Sequence, residues 1–316
     1  MSNENVAPEL SVVVPLFSEE SNLPSLLKAV STALTGVLEN YEFVLVDDGS
    51  LDRSWEIVRS LSNEYSNLRA IRFSRNFGKE AAISAGLEAS RGRAVVIMDC
   101  DHQHPPSLIT EMLSRWRGGG VDVVEAVKSK RVEEYWINRI GAKAFYALLG
   151  HENKHVFEGA TDFKLLDRCV IEAMRGMGER VMFFRGMVAW LGFRVEKIFF
   201  EPPPRAEGKS QWSYIALVKF AVDAITSFTS VSLRLVSLLG VVFFVFAVIL
   251  GLQTLYMKLF GGALGGFSTV IICILFTGAV IMFALGIIGE YIARIYQEVK
   301  RRPRYVVREV IDSSDS

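Results

Sequence analysis

The chain has 316 residues, half of them hydrophobic, which excludes a disordered polypeptide and leaves room for one or two domains with a real core. Its 35 Lys and Arg balance 35 Asp and Glu, so there is no net basic field to hold nucleic acid through counterion release. Cys100, Cys169 and Cys273 are widely spaced and form no CxxC pair, which argues against a disulfide framework or a structural zinc site and for a reducing compartment.

The first ten residues, MSNENVAPEL, are polar and lack an apolar h-region, so the N-terminus is not expected to be a signal peptide. Short β-branched runs then follow at Leu10–Leu16, Tyr41–Val46, Leu68–Phe73, Ala94–Met98 and Val121–Val127. Helical stretches alternate with them at Leu23–Leu34, Ser54–Tyr65, Lys79–Ser90 and Pro106–Trp116. This alternation predicts right-handed βαβ crossovers and a mostly parallel sheet in an α/β domain covering residues 1–210. The segment 211–233, with aromatic and aliphatic residues and few charges, suits a helix lying at a membrane interface.

Charge then disappears. None occurs between Arg234 and Lys258, nor between Lys258 and Glu290. The apolar stretches Leu235–Tyr256 and Phe267–Ile288 each span about 30 Å as helices, which predicts two transmembrane helices within 234–290. The glycine-rich KLFGGALGG turn joins them. Arg234 precedes the first span, and Arg294, Lys300, Arg301, Arg302, Arg304 and Arg308 follow the second, in a basic tail covering 291–316. The positive-inside rule therefore puts both ends, and the α/β domain, in the cytoplasm.

In a parallel α/β sheet, ligands bind beyond the carboxyl ends of the strands. The residues there are Pro15, Phe17 and Glu19 after the first strand, Asp47-Asp48-Gly49-Ser50 after the second, and Asp99-Cys100-Asp101-His102-Gln103 after the fourth. Carboxylates gathered on one rim repel one another unless a cation offsets them, and Asp and Gln oxygens suit Mg²⁺ or Mn²⁺ carrying a diphosphate. His102 and His104 flank Gln103, and His151 and His155 sit in HENKH; both pairs read as loop residues rather than zinc ligands.

The ordered motifs SVVVPLFSEESNLP, VLVDDGSLDRS, RNFGKEAAISAGLEASRG and VIMDCDHQHPP resemble glycosyltransferase family 2. The resemblance is to its polyprenyl-phosphate branch, which includes dolichyl-phosphate mannose synthases and bactoprenol glucosyltransferases. It continues through EGATDFKLLDR, FFRGMVAWLGF and PPPRAEGKSQWSY into the apolar helices and the tail. The resemblance implies a GT-A-like nucleotide-sugar-binding domain joined to an interfacial helix and a two-helix transmembrane hairpin, in a bacterial inner membrane and assembled as a homotetramer. It implies transfer of a hexose from a nucleotide-sugar, with UDP-glucose the default, to undecaprenyl or another polyprenyl phosphate. Galactose, an N-acetylhexosamine or an aminoarabinose type are the alternative sugars.

By motif position, the resemblance places Pro15, Phe17, Glu19, Val46 and Asp48 around the base and ribose. Asp99, Cys100, Asp101 and Gln103 fall toward the diphosphate, with Asp99, Asp101 and Gln103 as the metal set, and Lys79 joins the nucleotide-sugar-binding residues. Arg205 and Lys209 lie on the loop that closes over the phosphates. Asp162 matches the catalytic base, and Arg185 and Arg205 are the cations expected near the acceptor phosphate. A phosphate monoester has a second pKa of about 6 and is already ionised at neutral pH, so Asp162 is expected mainly to orient the acceptor. The chain departs from the family pattern at Ser18, where relatives often have Asn, and at Gln211, where a lysine is usual.

Other functions fit less well. A processive polysaccharide synthase would need a QxxRW-type motif and more spans, and a dinucleotide oxidoreductase a GxGxxG after the first strand. A transporter would need a charged pathway within its spans, and a non-catalytic scaffold leaves the DCD motif and Asp162 without a purpose.

Overall fold

The computed structural model describes residues 7–129, 160–177, 183–201, 231–260 and 266–313. They fall in two units, one holding the sheet and the other two long helices.

The first unit follows the order β1 (Leu10–Leu16), α1 (Leu23–Leu34), β2 (Tyr41–Asp47), α2 (Ser54–Glu64), β3 (Leu68–Phe73), α3 (Lys79–Ala89), β4 (Ala94–Ile97), α4 (Ser107–Arg117), β5 (Val123–Lys128), β6 (Ala160–Asp167), α5 (Arg168–Gly176), α6 (Phe184–Trp190) and β7 (Val195–Phe200). A last strand, β8 (Val307–Asp312), returns from the C-terminal segment. The eight strands form one sheet in the order β7-β5-β6-β4-β1-β2-β3-β8.

The expectation of a mostly parallel sheet holds for β4-β1-β2-β3 and for β5–β7, while β6 and β8 make the sheet as a whole mixed. β1–β2, β1–β4, β2–β3 and β5–β7 are parallel, whereas β4–β6, β5–β6 and β3–β8 are antiparallel. The alternating segments read from sequence do form the parallel centre, but β6 inserts between β4 and β5 in the opposite direction. Similarly, part of the segment read as a basic tail forms β8 on the edge of β3.

Period-two alternation divides the core into two layers. Leu10, Val12, Val14 and Leu16 of β1 pack with Leu23, Leu27 and Met112 on one face, while Val13 joins Val44, Ile83 and Phe184 on the other. Helix α3 lies close over β1: a Cβ on Gly86 would fall inside van der Waals contact with Val13 Cγ1. A tight turn follows β2, where Gly49 has φ +72 and lies against the Arg75 main chain. The cross-strand pair Glu125 and Lys164 is fully buried and joined by an ion pair between β5 and β6.

The second unit contains α7 (Val231–Phe260) and α8 (Phe267–Val299). The Phe243 and Phe276 rings meet with centroids 5.2 Å apart. Many large apolar side chains on both helices face outward, among them Phe244, Ile249, Phe276 and Met282. Both predicted spans lie inside these helices. Among the described residues, one window, Phe276–Ala293, is long and apolar enough to cross a membrane, with mean hydropathy 1.8 and no buried residue. The apolar stretch of α7, Gly240–Thr254, is shorter.

Candidate active site

Parallel pairing of β4, β1 and β2 brings their carboxyl ends to one rim, with Leu16 level with Asp47 and Ile97 level with Val13. The loops on this rim are latched to each other. Ser18, at φ 58, donates its backbone N–H to Ser50 Oγ, and the Glu19 backbone N–H donates to Ser54 Oγ. Asp48, buried at the end of β2, accepts from the backbone amides of Phe77 at 2.7 Å and Gly78 at 2.9 Å. It thereby fixes the entry to α3, whose first residue is Lys79.

The antiparallel β6 supplies the other half of the site. Ile97 pairs with Lys164 and Val96 with Leu165, so extending the register by two residues sets Asp99 opposite Asp162. Lys79 Nζ bridges these two carboxylates, 2.7 Å from Asp99 Oδ1 and 2.7 Å from Asp162 Oδ2. On the other side, Arg185 at the start of α6 forks onto Asp162, with Nε to Oδ1 at 2.6 Å and an Nη to Oδ2 at 3.1 Å. The result is a row of alternating charge: Asp99, Lys79, Asp162, Arg185.

Burial pushes the Asp162 carboxyl up, but the Arg185 fork and the Lys79 ammonium override it and hold the group well below the usual carboxylate range. Lys79 is displaced upward, since Asp99 and Asp162 outweigh the burial that opposes its charge. Burial raises Glu19, against its hydrogen bond from Asn22 and with reinforcement from Asp101 and Asp99; it also raises Asp48, against the two amides that Asp48 accepts. The rim carboxylates therefore do sense one another.

The loop after β4 is held from within. Asp101 Oδ1 accepts from the Gln103 backbone N–H at 3.1 Å, and His102 adopts φ 57 with its Nε2 2.8 Å from Ser25 Oγ. Buried His104 stacks on Phe163, and burial lowers its pKa despite Asp99 and Asp101 nearby. Lys128 Nζ donates to Gln103 Oε1 at 2.9 Å, so a metal on that oxygen would share it with the ammonium.

No three His, Cys, Asp or Glu side chains cluster as a metal cage among the described residues. Asp99 and Asp101, with Gln103 beside them, still form a donor set that fits Mg²⁺ or Mn²⁺. These ions need only one or two protein carboxylates when substrate phosphates and water complete the shell. Lys79 on Asp99 shows that this carboxylate already holds a cation. His102 and His104 turn to different partners, in keeping with their reading as loop residues.

Some sequence expectations need adjustment. Cys100, expected toward the diphosphate, has its side chain 2% exposed within the core, where burial drives the thiol pKa up; only its main chain can face a ligand. Val46 is likewise fully buried among Val13 and Val44, and Pro15, its pairing neighbour, is also buried, so neither side chain presents a surface. Phe17 is 44% exposed beside the rim. Arg205, Lys209, Gln211, His151 and His155 lie outside the described residues.

Sequence reasoning missed Glu80, next to Lys79. Its Oε2 accepts from the Phe184 backbone N–H at 2.8 Å, and burial pushes its pKa up to about 7. An acidic residue in the first turn of α3 was the available signal, since such residues favour helix N-termini. A separate cavity of about 410 Å³ includes Arg93, Trp116 and Arg117 in its wall, at the amino ends of the strands. Its Arg117 and Arg194 are already paired with Glu9 and Asp122.

The model of the family described as "Glycosyl transferase family 2" matches residues 11–174. An uncharacterized glycosyltransferase of Synechocystis is 37% identical over 96% of this chain and 95% of its own length. A prophage bactoprenol glucosyl transferase homolog of Escherichia coli K12 is 33% identical over 96% and 99%, and a bactoprenol glucosyl transferase from Shigella phage SfII is 32% identical over 95% and 98%. Among solved structures, glucosyl-3-phosphoglycerate synthase of Mycobacterium tuberculosis, in complex with Mn²⁺ and UDP-glucose, aligns with TM-score 0.50 and 20% identity over 69% of this chain and 77% of that one. This last likeness is one of fold, a GT-A-like α/β domain with a mixed sheet. With the family matched across more than half its length and relatives matched from end to end, the chain belongs to glycosyl transferase family 2, is a glycosyltransferase, and falls in the bactoprenol glucosyl transferase branch.

Proposed function

We propose that this enzyme transfers a hexose, with inversion, from UDP-glucose to undecaprenyl phosphate at the cytoplasmic face of a bacterial inner membrane. The observation that carries the reading is the charge row Asp99, Lys79, Asp162, Arg185 along the carboxyl rim of the sheet. It joins the loop expected to hold a diphosphate to the residue expected to face the acceptor. The bactoprenol-directed names of relatives matched over nearly their full length support the lipid acceptor.

In this reading Asp99 and Asp101, with Gln103 in support, hold Mg²⁺ or Mn²⁺. When bound, the ion neutralises charge on the departing nucleoside diphosphate. Phe17, Glu19 and Asp48 border the nucleotide, directly or through the loop that Asp48 fixes. Both oxygens of Asp162 are engaged by cations, so it serves as the fixed anion that aims Lys79 and Arg185 at the acceptor phosphate. These cations offset repulsion between two anionic substrates, and alignment for in-line attack supplies most of the acceleration. Arg205 and Lys209, outside the described residues, are the cations that motif position assigns to the donor phosphates.

The helices α7 and α8 form a membrane hairpin and 1–210 is the catalytic part, in a homotetramer; of the expected interfacial segment 211–233, residues 211–230 lie outside the described residues. The outward apolar side chains and the absence of charge between Arg234 and Lys258 support this arrangement. Radiolabelled UDP-glucose incubated with undecaprenyl phosphate, membranes containing the enzyme, and Mn²⁺ tests the proposal. Butanol-soluble label that EDTA abolishes and Mn²⁺ restores is the expected result. Insoluble polymer, or transfer from another nucleotide-sugar alone, refutes the stated reaction.

A further inference from the structure

Between the loop carrying Asp99 and the strand carrying Asp162 lies one imidazole that neither the motif nor the charge row accounts for. His104 Nδ1 is 3.1 Å from the Asp99 backbone nitrogen. A backbone N–H can only donate, so Nδ1 is the acceptor and the ring proton of the neutral form resides on Nε2. The same ring stacks on Phe163, centroids 4.8 Å apart at 17°, and meets Phe200 edge-on at 6.4 Å. Phe163 directly follows Asp162 on β6. His104 is 3% exposed, so the acceptor side of this hydrogen bond is shielded from water.

We infer that His104 is a positioning residue for cation binding: the hydrogen bond that its Nδ1 accepts fixes the Asp99 main chain. The Asp99 carboxylate extends from the main chain whose N–H His104 accepts. Asp101, two residues on, is tied to the same loop through its bond from the Gln103 N–H. Without the Nδ1 acceptor, the part-buried Asp99 N–H loses its partner, and the loop is no longer held in this position. The two carboxylates then no longer converge in the geometry a small divalent cation demands.

This inference rests on reading Asp99 and Asp101 as the cation-holding pair, and its test separates the two. The full-length enzyme in lipid nanodiscs is titrated with Mn²⁺ in the presence of UDP, and binding is read from the electron paramagnetic resonance signal of free Mn²⁺. His104→Phe retains the stacking and loses the acceptor; His104→Asn places an amide oxygen near the Nδ1 position and loses most of the stacking. The expected result is Mn²⁺ binding weakened about tenfold in His104→Phe and within about threefold of the unaltered enzyme in His104→Asn. The apparent KM for Mn²⁺ rises in the same proportion in His104→Phe, while kcat recovers at saturating Mn²⁺.

Unchanged Mn²⁺ binding in His104→Phe overturns the inference and leaves the cation site standing. Equal losses in both variants also overturn it, because ring packing rather than the hydrogen bond would then be responsible. If the unaltered enzyme binds no Mn²⁺ with UDP, the cation site itself falls and the inference with it. Should His104→Phe fail to fold, His104→Leu provides a second acceptor-free variant, and a tenfold loss in folded His104→Asn alone is sufficient to refute.

Discussion

Replacing Asp162 with Asn gives the sharpest test of the charge row, because it keeps the shape and removes one charge. Asp162 is 6% exposed and engages Lys79 at 2.7 Å and Arg185 at 2.6 and 3.1 Å. Each pair, at about 4 Å between charge centres and an effective dielectric near 20, is worth about 4 kcal/mol before desolvation. Lys79 and Arg185 remain 43% and 36% exposed, so water recovers much of that energy when the anion disappears. Losing one member of such a buried pair is then expected to cost about 2–4 kcal/mol and to lower Tm by roughly 5–10 °C.

Turnover should fall about 100-fold or more, the typical cost of misplacing reacting groups by about 1 Å. A general base contributes on a similar scale, about 10²–10⁴, so magnitude alone does not assign the role. The pH dependence does. An acceptor phosphate with a second pKa of about 6 needs a base only at the acid end. If Asp162 orients, the ratio of wild-type to Asp162→Asn turnover stays constant from pH 5.5 to 8.5 in a radiolabelled transfer assay. A ratio that shrinks tenfold across that range, or normal turnover in the variant, would refute the reasoning.

Glu80, with its carboxyl raised to about 7, binds more protons in the folded than in the unfolded state between the ordinary glutamate value and that pH. Its contribution to stability is present below the unfolded value and is lost as pH rises toward 7, so Glu80→Gln should stabilise relative to wild type at pH 8 and not at pH 4.5, as read by thermal unfolding. Gly86→Ala should destabilise by about 2–4 kcal/mol, since the added methyl meets Val13 beneath α3, and differential scanning calorimetry checks the loss. Tyr305 stacks on Phe73 at 4.7 Å and donates from its hydroxyl to Glu88 at 2.6 Å, beside β8. Tyr305→Phe should cost about 0.5–1 kcal/mol, whereas deleting 302–316 uncovers the β3 edge and should cause aggregation visible by light scattering.

The strands, helices and rim were legible from local signals. β1, α1 and β3 fall at the expected residues because alternation and apolar spacing are short-range properties, and the residues after β1, β2 and β4 line up because parallel pairing of adjacent crossovers forces them to. The same local signals gave two long helices from the gaps in charge. Resemblance to the family supplied Asp162, which no spacing in the chain connects to Asp99.

What brings these two carboxylates together is the antiparallel insertion of β6 beside β4, a pairing between distant segments that leaves no trace in periodicity. The burial of Cys100 and Val46, the use of Asp48 to hold the Phe77 and Gly78 amides, and the pairing of β8 with β3 depend on which surfaces meet. So does His104. Its sequence position, between Gln103 and Pro105, reads as a loop residue, and only the approach of Phe163 from β6 stacks its ring while its Nδ1 meets the Asp99 N–H. Local propensity sets which residues stand on the rim, and long-range strand pairing sets which of them touch.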